Sequence, residues 1–122
     1  DTLALGPTEV WATRSDPTLA KVLAGTAKRL NLPLTAMNVD NVGESDEEPF
    51  IEKKIPSVMV HSLTSETFRI LHSSNDNWSA VKFDDYYNSY RLLTGYLHIL
   101  DHNLELYLRQ NSTGRSAPAA KP

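Results

Sequence analysis

The stretch Ile55-Pro56-Ser57-Val58-Met59-Val60-His61-Ser62 decides the fold class. It is a short apolar run rich in β-branched residues, of strand rather than helix length, and such runs mark buried strands of parallel sheets. Upstream, Ser15-Asp16-Pro17-Thr18 carries a helix-start signal. The Asp16 carboxylate can accept from free backbone N–H groups, and the fixed φ of Pro17 suits a first helical position. Leu19, Val22, Leu23, Thr26, Ala27 and Leu30 then recur at helical spacing, which predicts a helix from about 17 to 31, ended by Pro33. Leu34 to Asp40 follows as a strand and Asn41-Val42-Gly43-Glu44 as a turn. Ser45 and Glu48 stand at capping-box spacing before a short helix ending near Lys54. Asp1 to Leu5 with Val10 to Ala12 forms one further broken or paired strand element.

Downstream, residues 63–82 show no sustained period and many Ser, Thr and Asn, so they are expected as a long loop with one helical turn around Glu66 to Ile70. Asp84 or Asp85 then caps a long helix. Its main stripe is Tyr86, Tyr90, Leu93, Leu97, Leu100, Leu104 and Tyr107, and Leu92, Tyr96, Ile99 and Leu106 make a second. At about 1.5 Å per residue that helix spans roughly 40 Å and needs a large partner surface. Residues 1–110 are expected as one unit, and 111–122, rich in Ser, Ala and Pro, as a disordered tail. Helices alternating with strands predict an α/β fold with parallel βαβ units. So few strands cannot cover both helices, so further strands are expected from another part of a parent protein or from a second copy.

Composition narrows the functional classes. The 122 residues, 40% hydrophobic and 22% charged, suit one globular domain. A net charge of −3 without a basic stripe argues against a nucleic-acid partner. No apolar stretch approaches the roughly 20 residues that cross a bilayer, so no membrane partner is expected. With no cysteine, any metal must be held by His, Asp or Glu. The chain opens on Asp1, which suggests a processed protein or a piece of a longer one.

His72 lies in Leu71-His72-Ser73-Ser74-Asn75-Asp76-Asn77, a loop soon after the buried strand and thus near its carboxyl end, where open α/β sheets place ligands. A neutral imidazole there could bind zinc; the alternative is a loop histidine that caps a backbone group. Ser45-Asp46-Glu47-Glu48 could orient a metal-bound group or a substrate amine, or be no more than an acidic first turn. His61 alternates within a strand. His98 and His102 stand at i, i+4, a helical metal-ligand spacing, but lack a neighbouring glutamate base and also fit a solvated helix face. Neither a nucleophile elbow nor a glycine-rich phosphate loop is present.

Four segments, taken in order, resemble the M28 family of zinc aminopeptidases. Asp1-Thr2-Leu3-Ala4-Leu5-Gly6 is similar to the end of the family's "Asn-Leu-Asp" strand, and Ser45-Asp46-Glu47-Glu48-Pro49-Phe50 to its "Ser-Asp-His-x-x-Phe" segment. Lys54-Ile55-Pro56-Ser57-Val58 resembles "Gly-Ile-Pro-x-Val", and the His72 loop resembles "Tyr-His-Thr-x-x-Asp-Thr". The likeness covers roughly residues 1–104, with Glu47, Lys54 and Leu71 in place of the family's histidine, glycine and aromatic. It implies the C-terminal part of a three-layer αβα zinc-peptidase fold with a mostly parallel sheet and a long C-terminal helix. It further implies Asp1 as a ligand of one zinc ion, His72 as a ligand of a second, and Asp46 and Asp76 in loop-ordering roles. The family's first His-x-Asp pair and its Glu-Glu base-and-ligand pair precede the strand ending at Asp1, and none is present. The expectation is therefore a fragment inactive by itself, whose partners are a peptide substrate in the intact parent and the missing N-terminal half or a second copy. By the same resemblance the parent is secreted or periplasmic. Two other readings are a non-catalytic interaction domain of the same family and an unrelated small α/β binding domain.

Overall fold

In the computed structural model, residues 2–38 and 46–113 are described, with side chains through Asn103. The first strand, β1 (Glu9–Val10), is followed by a 3-10 turn at Ala12–Arg14 and helix α1 (Pro17–Leu30). α1 starts where its capping signal lies: Asp16 Oδ1 accepts from the amides of Thr18 and Leu19 at 2.9 and 3.0 Å. It stops at Leu30 because Asn31 turns left-handed (φ 52°, ψ 47°) and its N–H returns to the carbonyls of Ala27 and Lys28. Pro33 lies beyond this cap and is not needed to end the helix.

β2 (Thr35–Ala36), the short helix α2 (Glu48–Glu52), β3 (Val60–His61) and α3 (Phe83–Thr113) complete the order, with 3-10 turns at Thr67–Arg69 and Trp78–Ala80. β1 is the central strand. β2 pairs with it in parallel, Glu9 opposite Thr35, and β3 pairs antiparallel, with Glu9 opposite His61 and Val10 opposite Val60. The bonds Trp11 N to Met59 O and Met37 N to Val10 O, both 3.0 Å, prolong the two ladders. Successive residues alternate faces, so Val10 and Val60 share one side of the sheet and Glu9 and His61 the other.

The core joins Val10 and Val60 to Leu23 and Ala27 of α1, Leu32, and Leu92 and Tyr96 of α3. Leu23 and Leu92 are both 0% exposed, a burial worth about 1.5–3 kcal/mol for each leucine. α1 and α3 meet closely at Gly95, where a Cβ would lie 2.9 Å from Leu30 Cδ1. A buried bond of 2.8 Å between Thr8 Oγ1 and Ser89 Oγ ties the start of β1 to α3.

Four expectations are corrected. The C-terminal part of a three-layer αβα fold with a mostly parallel sheet does not form: the sheet is mixed, its three strands have two residues each, and helix dominates. Residues 55–62 were expected as a strand of a parallel sheet, yet only Val60–His61 is strand, and it runs antiparallel to β1. The main apolar stripe of α3 is divided, with Tyr86, Tyr90 and Leu97 exposed and Leu93 and Leu100 partly buried against the core, while Leu92 and Tyr96 of the second stripe are buried. Asp84 and Asp85 lie in the first turn of α3 rather than at its cap, where carboxylates still favour the helix dipole. α3 continues through Thr113. The expected turn at 41–44, Ser45 of the expected capping box, and residues 114–122 of the expected tail lie outside the described residues.

Candidate functional site

The His72 loop is closed by local bonds that its own side chains supply. After the turn at Thr67–Arg69, Ser73 bonds the Ile70 carbonyl twice, through its amide at 3.1 Å and its hydroxyl at 2.7 Å. The Asn75 amide donates to Ser73 Oγ at 3.1 Å, and Asn77 Nδ2 donates to the Ser74 carbonyl at 3.0 Å. Asn77 Oδ1 then caps the turn at Trp78–Ala80, accepting from the Ser79 amide at 3.0 Å. Ser and Asn do this readily because their short polar side chains reach neighbouring backbone groups.

Within that frame His72 is left-handed, φ 59°, and its backbone N–H donates to Asp76 Oδ2 at 3.3 Å. The structure thus brings His72 and Asp76 together, the carboxylate holding the main chain of the histidine rather than its ring. Both residues are exposed, and among the described residues the His72 ring has no hydrogen-bond partner.

Asp46 belongs to a different place. It is exposed at one end of a largely apolar groove of about 500 Å³, beside Leu3, Glu47, Phe50 and Tyr96, and His72 does not line that groove. Glu47, which stands where the resembled family has histidine, is buried and engaged: Arg14 Nε lies 2.9 Å from its Oε1. Arg14 also pairs with Glu48 and stacks 5.1 Å over the Trp11 ring. Asp1 lies outside the described residues.

His61, read in the sequence as an alternating strand residue, is 0% exposed and acts as a clamp across the sheet. Its Nε2 lies 3.1 Å from the Met37 carbonyl, just past β2 on the far side of β1, so this nitrogen carries the proton. Nδ1 accepts from the Leu63 amide at 3.1 Å. Glu9 Oε2 lies 3.6 Å from the same Nδ1, and Trp11 meets the ring edge-on at 6.4 Å. Sequence reasoning missed Glu9 and, although it singled out Glu47 and Glu48, missed their pairing with Arg14. Neither has a local signal, since each partner lies tens of residues away.

Among the described residues no three His, Asp or Glu side chains come together in a way that could hold a metal ion. The described residues therefore do not by themselves build a catalytic zinc site, which takes about three protein ligands even when one position is open. No protein-family model matches the chain, and neither a curated protein nor a solved structure matches it significantly.

Proposed function

We propose that this chain is a portion of a zinc-dependent aminopeptidase of the M28 kind, inactive alone, that presents His72 as one ligand of one zinc ion in the intact enzyme. Asp1 is the matching ligand for the other ion, and the remaining donors and the general base come from sequence outside these residues. The observation that carries this proposal is the His72–Asp76 contact. The resemblance gives the histidine a ligand role and the aspartate four residues later a loop-ordering one. The carboxylate does hold the backbone of an otherwise unengaged, exposed imidazole.

A second feature adds support. Lys54, which replaces the glycine of the resembled "Gly-Ile-Pro" segment, has φ 55°, a left-handed conformation that glycine adopts without steric cost. The substitution leaves the backbone in the form that the family's residue favours.

The test uses the intact parent protein and its His72→Ala variant. Zinc content and release of an N-terminal residue from an aminoacyl chromogenic substrate are measured. Two zinc ions per chain in the parent, with activity and one ion lost in the variant, are the expected results. A folded parent that takes up no zinc and releases no amino acid refutes the proposal. One observation favours a second reading, a non-catalytic interaction domain of the same family: Glu47 replaces a histidine and is bound to Arg14. That reading predicts the negative result, together with partner binding that survives His72→Ala.

A further inference from the structure

We propose that His98 and His102, on the exposed side of α3, form a chelating site for a divalent late transition-metal ion such as copper or zinc, separate from His72. Residues at i and i+4 stand one helical turn apart on the same face. Here the two imidazole ring centroids are 4.3 Å apart with planes inclined by 48°. Both residues are exposed, so an ion can approach while keeping part of its water shell.

The protonation pattern of one ring is already set. His102 Nδ1 lies 3.1 Å from the His98 carbonyl oxygen. A carbonyl oxygen only accepts, so Nδ1 carries the proton and Nε2 presents its lone pair outward. Metal-ligating histidines regularly donate their second ring N–H to a carbonyl or carboxylate, which fixes tautomer and orientation. α3 supplies that bond from its own backbone. Among the described residues the His98 ring has no hydrogen-bond partner, so it is free to turn a nitrogen toward the same ion. Metal–nitrogen bonds of about 2.0–2.1 Å require the two donor atoms to lie roughly 3–4 Å apart, which rings at this separation can meet.

Imidazole nitrogen selects copper, zinc and nickel over magnesium and calcium, which prefer oxygen. With two protein donors, water fills the other positions, so the ion is held exchangeably. A metal spanning one turn also binds the helix more tightly than the unfolded chain, where the two rings are not held together, and so stabilises α3.

The 122-residue chain is titrated with Cu²⁺, the strongest probe of such a site in the divalent series. Binding is read from the visible absorption band and the nitrogen hyperfine pattern of the copper resonance. The chain, His98→Ala, His102→Ala, the double variant and His72→Ala are compared, with circular dichroism to confirm that these exposed substitutions leave the helix intact. One ion per chain on two nitrogens is expected at this site, and each single variant weakens it about tenfold or more, a factor worth roughly 1.4 kcal/mol. The double variant is little worse than either single one, since the first substitution already breaks the chelate, and His72→Ala binds as the unchanged chain does. Single variants that bind as tightly as the parent, a loss caused by His72→Ala alone, or equal competition by Mg²⁺ overturns the assignment.

Discussion

Two helical glycines offer a paired test of how α1 meets α3. Gly25 lies inside α1 and Gly95 inside α3, and replacing a helical glycine by alanine gains about 0.5–1 kcal/mol from backbone entropy and propensity alone. A methyl at Gly25 meets nothing within 4 Å, so Gly25→Ala keeps that gain. At Gly95 the methyl would lie 2.9 Å from Leu30 Cδ1 and 3.4 Å from Thr26 Cγ2. Carbon atoms rest at about 3.5–4.0 Å, so Leu30 must give way by more than half an ångström. Overpacking costs about 1–3 kcal/mol, and the lower half of that range applies because Leu30 is only partly buried at the end of α1. Gly95→Ala should therefore be neutral to about 1.5 kcal/mol less stable, and the gap between the two variants, about 1–2 kcal/mol, is the strain itself. Urea unfolding followed by far-ultraviolet circular dichroism measures it. Adding Leu30→Ala should relieve the strain, with a coupling of about 1 kcal/mol in a double-mutant cycle. Equal stabilisation by both glycine variants, with no coupling to Leu30, would refute the close approach of the helices.

Other expectations follow from single contacts. Asp16→Ala removes the acceptor for two amides and should cost about 0.5–2 kcal/mol; an unchanged urea midpoint contradicts the cap. His61→Ala leaves the Met37 carbonyl and the Leu63 amide without their partner and opens a cavity, for a loss of about 2–5 kcal/mol by the same unfolding assay. A loss under half a kilocalorie would show that the ring does not bridge the strands. Lys54→Gly removes left-handed strain of about 1–2 kcal/mol against an entropy cost of about 0.5–1 kcal/mol, so a gain of up to roughly 1.5 kcal/mol is expected, whereas Lys54→Ala gains nothing. Asp76→Ala should speed hydrogen exchange at the His72 amide, and an unaltered rate speaks against the carboxylate as its acceptor.

What the sequence made legible were the features that local chemistry decides. α1 could be bounded to within a residue because Asp16, Pro17 and the apolar period all lie in the segment itself. The existence of α3 was equally plain, but its inward face was not. Two apolar stripes run along that helix, and the buried face takes Leu92 and Tyr96 from one and part of Leu93 and Leu100 from the other, a rotation that goes with the Thr8–Ser89 bond and the fit of Gly95 against Leu30, contacts between residues distant in the chain. Strand direction failed for the same reason. An apolar run announces burial, yet the antiparallel pairing of Val60 with Val10 depends on where the chain returns after α2. The burial of Glu9 and Glu47 gave no warning because a carboxylate reads as a surface residue until its distant partner, His61 or Arg14, is placed beside it.

The corrected sheet and the proposed role of His72 are physically separable. The bonds that shape residues 70–80 run between groups at most four positions apart, so none of them depends on the register or direction of the strands. Such a loop can fix where an imidazole begins but cannot by itself assemble a metal shell, because the other donors must arrive from elements brought together by long-range packing. His72 is thus placed through its backbone while its ring stays unengaged among the described residues, and the residues that follow it are also uncovered: Trp78 is 88% and Phe83 76% exposed. Large aromatic groups left in water forgo stabilisation that any covering surface would return. If the proposed remainder of the enzyme both completes the metal shell and covers these rings, zinc binding and burial of Trp78 should appear in the same step. A chain that gains one without the other would have its ligand loop and its aromatic surface serving different partners.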